Sequence, residues 1–403
     1  MAGAVTLDDV LAARKLLDGV VRVTPVENSR VIGARIGGPA YLKCENLQRT
    51  GSFKIRGAYV RIARMTPEER AAGVVAASAG NHAQGVALAA RLLGTTATVF
   101  MPVSAPLPKV AATRAYGASV HLLGSTVDEA LVAAREWEAD TGSVLVHPFD
   151  HPDIIAGQGT VGLEILEQCP DVRTVVVCTG GGGLTAGIGV AVKALRPDVQ
   201  LVAVQAEQAA AYPASLAAGH PVPVEEMSTM ADGIAVGCPG DIPFDLVRDH
   251  VDEVVTVSED ALSRALLFCL ERAKLVVEPA GVASVAALLE DPRRFEPPVV
   301  AVLSGGNVDP VLLLRVIQHG MIAAGRYLSF RVRIGDRPGE LARLLRLLAE
   351  LGANVIDVEH SRTTSRLTLG EVEVALSVET RGETHTEELL AALRGAGHQI
   401  RFS

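Results

Sequence analysis

Short β-rich runs alternate along the first three-quarters of the chain with longer segments whose apolar positions recur at helical spacing. Ala97-Thr98-Val99-Phe100 precedes a helical stretch at 107–116, and Ser119-Val120-His121-Leu122 precedes another at 128–138. That alternation predicts βαβ units in an open, mostly parallel sheet covered by helices, an α/β fold. The pattern changes near residue 320, where Gly320-Met321-Ile322-Ala323-Ala324-Gly325 gives way to strict alternation over 327–334. A helix opened by Arg337-Pro338-Gly339 and running to Leu351 follows, then strands at 354–359 and 370–379, a helix at 386–394 and a closing strand at 399–402. Pro338 is expected in the first helical turn, where its missing N–H is no loss. This βαββαβ order predicts a ferredoxin-like unit. The Pro-rich stretch 292–298 reads as a loop inside the larger unit, and Thr6 as the cap of an amphipathic N-terminal helix with Asp8 and Asp9 in its first turn, which is not the pattern of a secretion signal.

With 49% hydrophobic but only 3% aromatic residues among 403, the core must be built from Ala, Val and Leu, as helix-covered parallel sheets usually are. The length suggests two to three domains. A net charge of -9 with no basic stripe argues against nucleic acid as a partner. No apolar run is long enough to span a membrane. The five cysteines, Cys44, Cys169, Cys178, Cys238 and Cys269, are scattered and form no C-x-x-C pair, which predicts reduced thiols in the cytoplasm.

Candidate chemistry concentrates in four segments. The chain has only six lysines, and Lys54 sits in T-G-S-F-K-I-R-G-A at 50–58. A primary amine condenses with an aldehyde cofactor only if desolvation or a neighbouring positive charge keeps it partly unprotonated. Phe53, Ile55 and Arg56 offer both, although taken alone Lys54 also reads as a surface lysine on a helix capped by Ser52. S-A-G-N-H at 78–82 lies between a β-rich run and a helical one, so it is a turn that presents unpaired N–H groups to an anion. G-G-G-G-L at 180–184 follows the strand-like 174–178, and successive glycines let backbone wrap a phosphate closely. The loop lacks the Gly-Lys-Ser/Thr of an ATP or GTP site, and it meets the dinucleotide pattern only weakly, with Ala186 as the third position. A cup for a lone phosphate remains. The fourth segment, S-G-G-N at 304–307, again ends a β-rich run.

In this order, the four motifs resemble the threonine dehydratases (threonine ammonia-lyases), pyridoxal-phosphate enzymes of the tryptophan synthase β-like fold, over residues 5–320. The resemblance implies two lobes with the cofactor between them, residues 1–320 forming the catalytic domain and about 43–147 the smaller lobe. It implies that Lys54 holds the cofactor and removes the substrate α-proton, Phe53 packs on the cofactor ring, and Asn81 hydrogen-bonds its phenolic oxygen. Ser78, Ala79, Gly80, Asn81 and His82 would surround the substrate carboxylate, with Ser78 also counted as catalytic. Gly180, Gly181, Gly182, Gly183 and Leu184 would hold the phosphate, Ser304 would face the pyridine nitrogen, and Glu278 would lie nearby. A hydroxyl cannot hold a full charge on that nitrogen as a carboxylate can, which suits β-elimination from hydroxy amino acids. Threonine would give 2-oxobutanoate and serine pyruvate. Serine racemases place a serine where this chain has Ala79, which has no proton to give, so elimination is favoured over racemisation; a serine-preferring dehydratase and an amino-acid-sensing scaffold stand as alternatives. Glu207 is placed where relatives bind a monovalent or divalent cation, but it reads equally as an exposed residue after a strand, and Pro213 replaces a second carboxylate.

The segment 326–403, with D-R-P-G-E-L at 336–341 and L-G-A-N-V at 351–355, resembles an ACT domain. That implies an amino-acid effector, isoleucine or valine by analogy, held near Asp336, Arg337, Pro338, Gly339 and Asn354. It also implies self-association into a homodimer or homotetramer. A unit that only holds subunits together, or senses another metabolite, is the alternative.

Overall fold

The computed structural model describes residues 5–362 and 369–402; residues 1–4, 363–368 and 403, which the expected domain ranges include, lie outside them. The chain divides into two compact units between residues 313 and 314, within the helix Pro310–Ala323.

The first unit contains two sheets. The larger runs, in neighbour order, Val26–Asn28, Ala40–Cys44, Val299–Leu303, Thr174–Cys178, Gln200–Ala206 and Glu253–Val257. Only the short edge pair Val26–Asn28 with Ala40–Cys44 is antiparallel. Every residue of Thr174–Cys178 and Val299–Leu303 is buried, as expected for valine-rich strands covered on both faces. The smaller sheet is wholly parallel, in the order Ser119–Leu122, Ala97–Met101, Val74–Ala77 and Val144–Leu145. Lys43 and Cys44, taken from the sequence as the start of the smaller lobe, pair instead with Val302 and Leu303 in the large sheet. The N-terminal helix Leu7–Leu17 carries the expected box, the Thr6 hydroxyl accepting from Asp9 N while the Asp9 carboxylate accepts from Thr6 N.

Arg56 lies one turn into the helix Lys54–Ala63 and is fully buried. Its guanidinium donates to Glu45 from Nε at 2.9 Å and from Nη2 at 2.8 Å, and to Glu164 from Nη1 at 2.6 Å and from Nη2 at 3.0 Å. Lys43 Nζ closes the cluster, reaching Glu164 Oε2 at 2.5 Å and the Thr24 carbonyl at 2.9 Å. Burial pushes the Glu45 carboxyl up, but Arg56, Lys43 and the Thr24 hydroxyl together outweigh it and hold the group below the usual carboxylate range. Two cations and two anions are thus matched out of water, tying the lysine helix to the strand Ala40–Cys44 and the helix Pro152–Gln168.

The second unit is a four-stranded antiparallel sheet ordered Asn354–Ser361, Glu371–Glu379, Tyr327–Gly335 and Ile400–Phe402. Alternate residues Phe330, Val332, Val374 and Leu376 meet Leu348 of the helix Glu340–Glu350 and Leu389 and Leu393 of the helix Glu383–Gly395 in one core. Pro338 corrects an expectation: the helix starts later, at Glu340, because Gly339 takes a left-handed φ of 91° and interrupts any right-handed turn begun before it.

Replacing Arg56 by Ala leaves Glu45 and Glu164 facing each other without their shared cation. A loss of about 3–5 kcal/mol is expected, read as a lower urea midpoint at unchanged slope.

Candidate active site

Three turns at the carboxyl ends of parallel strands converge in the first unit: 78–80 after Val74–Ala77, 179–182 after Thr174–Cys178, and 304–307 after Val299–Leu303. The crevice beyond the carboxyl ends of an open parallel sheet is where such folds place ligands.

Lys54 is the first residue of its helix, and Ser52 does not cap it; Ser52 is fully buried and pairs in a bridge with Gly305. This removes the surface-lysine reading. Lys54 Nζ donates to the Pro148 carbonyl at 2.9 Å and lies 5.2 Å from the centroid of the Phe53 ring. Burial pushes the amine down to about 8, with Glu278 opposing. Arg56 was expected to supply part of that shift from sequence; its charge is neutralised within the buried cluster, and desolvation accounts for the direction.

Asn81 opens the helix Asn81–Leu92 and donates through Nδ2 to Glu278 Oε1 at 2.5 Å. Its Oδ1 accepts from Asn307 Nδ2 at 2.7 Å. Glu278 is 2% exposed, and among the described residues its second oxygen has no partner. Burial first, and then Asp232, push its carboxyl up to about 7 against Lys109, Asn81 and Lys54. Ser304 is buried and accepts at its carbonyl from Phe53 N at 3.3 Å, beside the Cys178 thiol that burial raises.

In the turn before Asn81, Ser78 and Ala79 are half-buried and Ser78 Oγ accepts from Gly80 N at 3.1 Å. His82 points elsewhere: its imidazole is buried, Nε2 donates to the Val146 carbonyl at 2.7 Å, and burial with Lys54 pushes it down to about 3. A neutral ring committed to the core leaves only the His82 amide for a ligand at the turn.

From Gly180 to Thr185 no backbone N–H donates to another described residue, and the first that does is Ala186, to the Gly182 carbonyl at 2.8 Å. Gly182 has φ 96° and leads into the helix Gly183–Leu195. A Cβ on Gly182 would overlap the Tyr212 hydroxyl, and one on Gly181 would come 2.5 Å from the Phe149 ring. The loop is therefore a cradle of free amides at a helix N-terminus, wedged between two aromatic walls, and it suits a phosphate. With an amine of lowered proton affinity nearby, the donor set fits a group carrying both a phosphate and an aldehyde.

Residues 17–305 match the family described as pyridoxal-phosphate dependent enzyme, and residues 328–398 match the ACT domain. The chain is 48% identical over 398 residues to L-threonine ammonia-lyase of Thermotoga maritima, covering 99% of each. Among solved structures, it is similar to threonine deaminase isoform 2 from Solanum lycopersicum (37% identity, 78% of this chain and 92% of that one, TM-score 0.74). It is also similar to maize serine racemase (36% identity, 78% and 97%, TM-score 0.74). The chain belongs to the pyridoxal-phosphate dependent enzymes, in their threonine ammonia-lyase branch.

Several residues of this family member escaped the sequence reading. Phe149 and Tyr212 wall the glycine loop, and in a chain with 3% aromatic residues their scarcity was a signal. Lys109 was another of the six lysines; its side chain is almost buried, pairs with Asp232 at 2.7 Å, and has Nζ 3.3 Å from where a Cβ on Gly80 would lie. Glu207 is exposed after the strand Gln200–Ala206, and among the described residues no cluster of three or more His, Cys, Asp or Glu could hold a metal ion. No helix among them is long and apolar enough to cross a membrane.

In the ACT domain a cavity of about 260 Å³ is lined by Ile334, Gly335, Asp336, Arg337, Pro338, Gly339, Leu341, His360 and Arg362. Arg362 reaches Asp336 at 3.1 Å. Asn354, grouped with these from sequence, lies instead at the opposite end of its strand, Nδ2 3.5 Å from Glu379.

Gly182→Ala should weaken pyridoxal phosphate retention by about ten- to a hundredfold, since a strained left-handed residue costs of order 1–3 kcal/mol. Adding Tyr212→Phe, which removes the overlapping hydroxyl, should recover part of the loss in an equilibrium cofactor titration.

Proposed function

We propose that the chain converts L-threonine to 2-oxobutanoate and ammonia, with L-serine, giving pyruvate, as a second substrate. What supports this is that Lys54, its proton affinity lowered by burial, donates to the Pro148 carbonyl next to Phe149, whose ring lies against the free-amide glycine loop. When bound, the cofactor supplies an electron-withdrawing ring to the substrate α-carbon.

The chain's residues do the rest. Lys54 Nζ anchors the cofactor and then takes the α-proton, for which a base poised near neutral pH is suited. The amides of Ala79, Asn81 and His82 donate to no described residue and receive the substrate carboxylate. Ser304 would offer the ring nitrogen a neutral hydroxyl partner, a setting suited to β-elimination. Ala79 offers no proton to the opposite face of the α-carbon, so elimination is read in preference to racemisation despite the likeness to serine racemase. Glu207, exposed and without a cluster around it, adds no cation to this reading.

For the ACT domain we propose an amino-acid effector, isoleucine or valine, in the cavity beside Asp336 and Arg362, in a homodimer or homotetramer. Paired charges at the rim match an ammonium and a carboxylate, and Ile334 and Leu341 offer apolar contact to a branched side chain.

Keto acid release from L-threonine should fall at least about 10²-fold in Lys54→Ala, and D-serine above a few per cent of turnover from L-serine would contradict the elimination reading. Because only the unprotonated amine attacks an aldehyde, uptake of pyridoxal phosphate by apoprotein should accelerate with rising pH, with a midpoint near 8. Isothermal titration with isoleucine and valine, alongside threonine turnover, checks the effector; neither heat nor any change in rate would refute it.

A further inference from the structure

Asn307 closes the S-G-G-N segment, and the functional reading above gives it no task. Its Nδ2 donates to two carbonyl oxygens at once, Thr50 O and Asn81 Oδ1, each at 2.7 Å. A main-chain carbonyl can only accept, so the Thr50 contact fixes which end of the Asn307 amide faces inward. The same Nδ2 then commits Asn81 Oδ1 as its acceptor, which leaves Asn81 Nδ2 to face Glu278 Oε1 at 2.5 Å. The order of donors runs one way through the network, from a rigid main-chain anchor to the crevice.

Two glycines exist in register with this network. A side chain on Gly51, which also has φ 71°, would overlap the Asn307 amide oxygen and carbon, and one on Gly305 would overlap Glu278 Oε1 and lie 3.0 Å from Asn81 Nδ2. Gly306 N donates to the Gly51 carbonyl at 2.8 Å, locking the two backbone segments against each other. Three motifs far apart in sequence are shaped around one amide orientation.

We propose that Asn307 is a positioning residue that fixes the polarity of the Asn81 amide, so that an N–H and not a carbonyl is presented to the cofactor's phenolic oxygen. This rests on the reading of Asn81 as that oxygen's partner. A donor there favours the ionised oxygen, and a carbonyl in its place would raise the proton affinity of the chromophore. The charged or titratable groups around it are Lys54, Glu278, Lys109 and Asp232, with His82 neutral.

The test uses full-length protein loaded with pyridoxal phosphate and follows the cofactor's absorbance against pH. Asn307→Asp keeps the shape but can only accept when ionised, so Asn81 should turn its Nδ2 toward it. The midpoint of the absorbance change should rise by about one pH unit or more, a tenfold change in proton affinity. If the wild-type chromophore stays ionised throughout the accessible range, a transition appearing only in the variant is the same result. Asn307→Ala, which frees the Asn81 amide without adding charge, should shift the midpoint less, and it carries the test if the aspartate variant fails to fold or to hold cofactor. In an Asn81→Ala background, Asn307→Asp should add no further shift, because the effect runs through Asn81. Unmoved midpoints in both Asn307 variants, or a shift that persists without Asn81, would overturn the assignment. Wild-type protein that shows no cofactor band at all would overturn the underlying reading of the site instead.

Discussion

The Arg56 guanidinium is the contact on which the geometry of the catalytic unit depends. It lies on the same helix as Lys54, two residues on, fully buried, and it is shared by carboxylates from two other elements. Buried ions are costly unless every lone pair is matched, and here Lys43 and the Thr24 hydroxyl complete the match. The arrangement tolerates few alternatives, since moving the helix would strand charge out of water. The position of the Lys54 amine follows from that of its helix.

Electrostatics in the crevice follow from the same dryness. Removing water lowers the Lys54 amine and raises the Glu278 carboxyl, bringing a base and an acid toward neutrality from opposite sides. Burial is the largest cause of both shifts, with Asp232 adding to it at Glu278. The glycine loop works differently, through backbone geometry, with Phe149 and Tyr212 holding a loop whose amides find no partner among the described residues. Amide donors at a helix start carry a fixed partial charge that pH does not remove.

Much of the fold was legible from pattern alone. Runs such as Thr174–Cys178 and Val299–Leu303 announce doubly covered strands, and the period-2 alternation of 327–334 announces a one-sided sheet. Pro338 was misplaced because the left-handed turn at Gly339 is a property of two backbone angles, which composition does not display. The Arg56 effect on Lys54 was misjudged for a related reason: adjacency in sequence implies adjacency of charge only until a partner neutralises it.

What the chain determined by itself is where candidate chemistry sits: a rare lysine between apolar neighbours, a run of glycines, and turns after buried strands. Local spacing and side-chain type suffice for that. Tertiary structure alone decided how they act: that His82 is spent on the core, that Asn354 stands apart from the ACT cavity, that Lys109 meets Asp232, and that Asn307 reaches Asn81. These depend on contacts between residues up to 226 positions apart, where burial and the direction of a hydrogen bond, rather than residue identity, set the outcome.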